Sequence, residues 1–186
     1  MAKSKTLLGF GVNDVDFTVR WKMSCGKDFS LPEYTAWKGM IVRCYGKQNI
    51  KKASYINTEV YSGWKSLKAF KDWFDLQVYE SGFILDKDLL GNGNLYSPET
   101  CCFLPEEING FLIRKHNTRG YHKRDNRYEA CITHGREYRY LGTFKTSEEA
   151  FDVYRKAKED YAKVLADKWK DKIDPRAYEA LMNYQV

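Results

Sequence analysis

Residues 84–109 read Ile-Leu-Asp-Lys-Asp-Leu-Leu-Gly-Asn-Gly-Asn-Leu-Tyr-Ser-Pro-Glu-Thr-Cys-Cys-Phe-Leu-Pro-Glu-Glu-Ile-Asn, and how they fold decides the architecture of the first half of the chain. Ile84-Leu85-Asp86 suits the end of a short strand, and the Gly/Asn-rich run after it suits a turn. A second short strand falls between Pro98 and Pro105, where proline does not disturb a central ladder. The start of a helix follows. On residue chemistry alone, Asp86, Asp88 and Asn94 cap turns in a hairpin that leads into a helix.

The pattern extends upstream. Pro32 suits the first turn of a helix, and Trp37, Met40, Ile41 and Cys44 recur at helical spacing, so an amphipathic helix is predicted over 32–45. Its outward residues, Lys38, Arg43 and Lys47, are placed to meet phosphate or water. Residues 46–60 are polar and predicted as loop. Trp64, Leu67, Phe70, Trp73, Phe74 and Val78 step by threes and fours, which predicts one helix over 63–79 with its aromatic stripe in the core. Nearer the N-terminus, 17–23 is a strand candidate and Gly26-Lys27-Asp28 a turn.

A chain of 186 residues is long enough for one domain or two small ones. Its composition, 43% hydrophobic and 30% charged, is that of a globular protein rather than a disordered one. No apolar run approaches the roughly 20 residues that span a bilayer. The N-terminus lacks the apolar core and cleavage site of a secretory leader, so a cytoplasmic protein is expected. Cysteines 25, 44, 101, 102 and 131 form no Cys-x-x-Cys pair, which argues against a disulfide framework or a zinc knuckle.

The net charge is +6, and its placement carries the information. Residues 111–145 hold nine Lys/Arg against three acids, an excess equal to that of the whole chain. The same stripe carries Tyr121, Tyr128, Tyr138 and Tyr140, and cations interleaved with aromatics suit a polyanion partner. The plainer alternative is a solvated run of surface charge. Tyr128–Thr133 and Glu137–Phe144 alternate as paired strands around His134-Gly135-Arg136, with a further strand at Gly120–Lys123. Thr146 and Glu149 form a capping box. Phe151, Tyr154, Ala157, Tyr161, Leu165 and Trp169 then mark the buried face of a long helix, and a short helix follows at Arg176–Met182.

Two resemblances arise from these motifs. The first is to the HNH (His-Me finger) nucleases, through the order of elements in 84–109 and through Leu85-Asp86-Lys87-Asp88, Tyr96-Ser97-Pro98-Glu99-Thr100 and Ile108-Asn109. It implies a ββα domain with Asp86 and Asn109 as ligands to Mg²⁺ or Mn²⁺, a hard-oxygen pair. Lys87 stands where that family places its general-base histidine, with Asp88 beside it near the phosphate. Thr100 stands where the orienting Asn stands, and Arg43 is a candidate phosphate clamp. The second resemblance is to the APETALA2/ERF-type DNA-binding domain, through Arg127-Tyr128-Glu129-Ala130-Cys131-Ile132 and Leu141-Gly142-Thr143-Phe144-Lys145-Thr146-Ser147-Glu148-Glu149-Ala150. It implies a three-stranded sheet that reads duplex DNA, with Lys123, Arg124, Arg127, Arg136 and Arg139 touching phosphate or bases. Tyr128 and Tyr140 either join them or pack on the helix.

Most of the chain resembles phage-encoded HNH-type homing endonucleases with such a C-terminal domain. The expectation is therefore an α+β protein. Its HNH-like ββα domain occupies 1–114, and a three-stranded antiparallel sheet packed on one long helix occupies 115–186. It would cut or nick double-stranded DNA with Mg²⁺ or Mn²⁺ in the cytoplasm of the host cell. Rival readings are a phage DNA-binding regulator or inhibitor without catalysis, and a protein that binds a host or defence protein.

Overall fold

The structure, a computed structural model, describes residues 6–46, 55–91, 93–113, 119–134 and 137–186. It is a mixed α+β fold in two compact units, Met1–Phe103 and Leu104–Val186. The division expected at 114/115 lies outside the described residues.

The first unit begins with β1 (Thr6–Leu7) paired antiparallel to β2 (Gly11–Val12), then a hairpin of β3 (Arg20–Lys22) and β4 (Asp28–Ser30). Helix α1 (Pro32–Tyr45) follows with proline in its first turn, as the sequence predicts. After β5 (Glu59–Val60), the helix predicted over 63–79 is two pieces, a 3₁₀ turn at Ser62–Lys65 and α2 (Leu67–Phe74). Ser66 is the reason. Its backbone is extended, its hydroxyl accepts from the Ala69 amide, and it donates to Asp14 Oδ2 at 2.6 Å. A new helix starts there. Asp14 Oδ1 also accepts from the Lys68 amide at 2.9 Å, which places a carboxylate at the positive end of α2.

Strands β6 (Ile84–Asp86), β7 (Leu95–Tyr96) and β8 (Cys102–Leu104) complete the sequence up to the division. β6 pairs with β8, and β7 pairs in parallel with β5. The core joins Trp37, Met40 and Ile41 of α1 to Trp64, Leu67, Phe70 and Phe103, all buried. Burying each such side chain contributes about 1.5–3 kcal/mol. Trp37 Nε1 donates to the Trp64 carbonyl at 2.8 Å, which satisfies the one polar atom of a buried indole.

The second unit opens with α3 (Glu106–Leu112) and continues through β9 (Tyr121–Arg124), β10 (Arg127–His134) and β11 (Glu137–Phe144). These form one antiparallel sheet, ordered β11-β10-β9, with α4 (Ser147–Trp169) packed on it and α5 (Pro175–Met182) packed on α4. The expected capping box is present: Thr146 Oγ1 accepts from the Glu149 amide, and Glu149 reaches back to the Thr146 amide.

The buried stripe of α4 keeps Tyr154 and Leu165 of the predicted one, leaves Ala157, Tyr161 and Trp169 half-buried, and is otherwise made by residues the spacing did not pick out. Ala150, Tyr154, Lys158, Ala162, Leu165 and Ala166 are buried, and Phe151 is exposed. Small residues let α4 lie close to its neighbours, and the ammonium of Lys158 sits over the rings of Phe111 and Tyr184. Gly120, at φ 72°, lies against the Tyr154 ring so closely that a methyl group there would overlap it. Only glycine meets both demands at once.

Candidate functional site

Asp86 ends β6 and is buried. Its Oδ1 accepts from the amides of Asp88 at 3.0 Å and Leu89 at 2.8 Å, which turns the chain sharply after the strand. Burial, and to a smaller degree the charge of Asp88, raise its carboxyl above the ordinary range, against those two amide bonds and Lys87. Asp86 therefore caps the turn, as its residue chemistry predicts. Asn109 lies on α3 in the second unit, so the two expected metal ligands belong to different units.

Lys87 is the unexpected member. Its side chain is only 5% exposed, whereas that of Asp88 is 60% exposed. Nζ donates to Asp88 Oδ1 at 2.7 Å and lies over the rings of Tyr55 and Tyr96, 5.4 and 5.6 Å from their centroids. This carboxylate and these two π faces tie the side chain into the fold.

Tyr96 links Lys87 to Arg43. The Arg43 Nε donates to the Tyr96 hydroxyl at 3.0 Å and its guanidinium lies over the same ring. Burial pushes the Tyr96 hydroxyl well up, against the pull of Arg43. Arg43 is half-buried and ties α1 to β7, a structural bond for a residue expected to face outward. Thr100 Oγ1 donates to the Leu95 carbonyl at 2.7 Å and accepts from the Ser97 amide at 3.1 Å, holding together the loop between β7 and β8. Burial lifts the thiols of Cys44 to about 11 and Cys101 to about 12, so neither is a nucleophile near neutral pH.

The second candidate site is the sheet. Alternation along β10 puts Tyr128, Ala130 and Ile132 on the face that α4 covers, with Ala130 and Ile132 buried. Arg127, Glu129, Cys131 and Thr133 occupy the open face. Cross-strand register extends these rows. Arg124 stands opposite Arg127, His122 and Thr143 opposite Glu129, Tyr140 opposite Cys131, and Tyr138 opposite Thr133. The register slips between Ala130 and Cys131, a bulge beside Gly142 (φ 135°) that keeps Tyr140 and Thr143 on one face with their hydroxyls hydrogen-bonded.

The open face thus has two zones. One end carries Arg124 and Arg127, both exposed, and the other Tyr138 and Tyr140, also exposed. Between them Glu129 bonds His122 at 3.0 Å and Arg124 at 3.3 Å, which fixes the Arg124 side chain. Of the other expected contacts, Tyr128 is on the covered side, its ring against Tyr121. Lys123 and Arg139 belong by register to the rows of Tyr128 and Ile132 and reach solvent from the two edge strands. Arg136 lies outside the described residues. In the sequence Tyr138 stands out only as part of the basic stripe. Its two-residue offset from Tyr140 on an alternating strand is the signal that puts both on one face.

No described helix is long and apolar enough to cross a membrane. No protein-family model, curated protein or solved structure matches the chain.

Proposed function

We propose that this protein binds double-stranded DNA through the open face of the β9–β11 sheet. On this reading the 84–109 frame is of HNH type, with its base position given over to a structural cation. What supports the reading is the pairing of Arg124 and Arg127 across adjacent strands, exposed on the face that carries Tyr138 and Tyr140. A sheet face of this width suits a major groove about 12 Å across. The arginines would take phosphate or guanine edges, and the tyrosines would contact sugar and base. Mobility shift of a labelled duplex tests it, with EDTA and with Mg²⁺. The wild type shifts equally in both, and Arg124→Ala plus Arg127→Ala loses the shift. A shift unchanged in that double variant would end the proposal.

A second reading, metal-dependent endonuclease, is favoured by one observation: both amide bonds that Asp86 accepts from the described residues fall on Oδ1, so Oδ2 is the oxygen a metal would take. Asp86 would be its ligand from the first unit, and the resemblance names the side-chain carbonyl of Asn109 as the other. A bound Mg²⁺ or Mn²⁺ would supply charge stabilisation at the scissile phosphate. Asp88, near the protein surface, is placed to act beside it, whereas Lys87 is buried. Nicking of supercoiled plasmid by the wild type with Mn²⁺, abolished in Asp86→Asn, would establish this reading. Asn at that position preserves the two amide bonds, so loss of cutting would not be loss of fold.

A further inference from the structure

The β3–β4 hairpin is solvated on all sides. Every residue from 20 to 29 is exposed, and Val19, buried at its base, anchors it. The Leu31 amide bonds the Val19 carbonyl at 3.0 Å, and bonds between Met23 and Lys27 and between Gly26 and Met23 close the tip. A two-stranded ribbon exposed on both faces is marginal by itself, so what holds it matters. Trp21 stands opposite Phe29 in register, their ring centroids 4.6 Å apart, and Arg20 binds Asp28 at 2.6 Å on the other face.

This pair is unusual in its exposure. Trp21 is 43% exposed and Phe29 39%, whereas Trp37 and Trp64 are at 1%. Met23, on the same face by alternation, is exposed as well. The arm carries Arg20, Lys22 and Lys27 against Asp28, with Arg20, Lys22 and Asp28 on the face away from the rings. Paired, exposed aromatics with an excess of cation on an extended ribbon are the chemistry that binds an unpaired nucleic-acid strand: bases stack on the rings and phosphates meet the lysines.

We infer that this hairpin is a stacking arm for single-stranded nucleic acid, a contact surface separate from the β9–β11 sheet. Trp21 offers the base its outer face, Phe29 backs it from the other strand, and Lys22 and Lys27 neutralise the neighbouring phosphates. The arm does not depend on the duplex proposal for the sheet.

The full chain and a thymidine oligomer of about 10 nucleotides test it. Trp21 is exposed, so base stacking should quench tryptophan emission as the oligomer is added. Trp21→Ala should lose that quenching and bind about 10-fold more weakly, Trp21→Phe should keep most of the affinity, and Arg124→Ala plus Arg127→Ala should keep the quenching. The inference is overturned if Trp21→Ala binds the oligomer as tightly as the wild type. It is overturned too if the sheet variant alone abolishes the quenching. Light scattering covers the remaining occupant: concentration-dependent self-association lost in Trp21→Ala, with no oligomer binding, would assign the arm to a second copy of this chain instead.

Discussion

Lys87 follows the short strand β6 and Arg127 opens the long strand β10, and the two units treat these cations in opposite ways. The first unit roofs Lys87 with tyrosine rings and hands its charge to Asp88. The second sets Arg127 in the open, beside Arg124 on the next strand. A buried, paired cation fixes a loop, while an exposed pair of cations raises the local potential and attracts a polyanion. The resemblance alone marks both positions as functional. Their surroundings divide the roles.

The largest effect expected comes from the backbone beneath the second site. Gly120→Ala forces a side chain into the Tyr154 ring at a positive φ, and should cost about 3 kcal/mol. Urea unfolding checks this. The loss should appear in the second unit, with emission from the buried Trp37 and Trp64 of the first unit unchanged at the same urea concentration. A coincident loss in both would show that the units unfold as one.

Next in size is the open face. Arg124→Ala plus Arg127→Ala should weaken duplex binding roughly 30-fold at moderate salt and lower the slope of log K against log salt by about two. A slope left unchanged would mean that these arginines do not meet phosphate. By contrast, Lys87→Met should leave affinity and slope as they are and change stability by no more than about 1 kcal/mol. An apolar side chain of similar length keeps the packing, and the exposed carboxylate of Asp88 returns to water. A fall in DNA affinity in Lys87→Met would erase the contrast between the two cations.

The smallest effect concerns α4. Burial pulls Glu107 upward, but bonds from Lys168 at 2.6 Å and Trp169 at 2.9 Å outweigh it and hold its carboxyl below the ordinary value. A carboxyl lowered on folding stabilises the fold above its unfolded pKa, and that stabilisation is lost as pH falls through the folded value. Glu107→Gln should therefore destabilise by less than about 1 kcal/mol near neutral pH, since solvent screens the pair. The difference should vanish in acid. Thermal melts across pH check it, and a difference that grows in acid would contradict the sign.

Much of the second unit was legible because its signals are local. Alternation from 128 to 144 and the Thr146/Glu149 box each lie within a few residues, and they specify strand, strand and helix start. What failed was decided at a distance. The helix expected over 63–79 breaks at Ser66 because Asp14, 52 residues away, bonds its hydroxyl. Arg43 reads as an outward helix residue, yet Tyr96 receives it. Nothing in Asp86-Lys87-Asp88 tells which rings cover the middle side chain, so Lys87 reads as a failed base from sequence and becomes a buried strut only in the fold. Phe151 was expected inside by its spacing. The packed face is instead made by Ala150, Ala162 and Ala166 together with the predicted Tyr154 and Leu165, and Phe151 lies off it.

Tyrosine-ring NMR on addition of duplex DNA tells the sheet from the 84–109 segment, since the sheet puts three of its tyrosines on known faces. The rings of Tyr138 and Tyr140 should shift with saturating DNA while Tyr128, on the covered side, stays in place. Shifts confined to Tyr55 and Tyr96 around Lys87, with Tyr138 and Tyr140 unmoved, would contradict the account and return the DNA to the 84–109 frame.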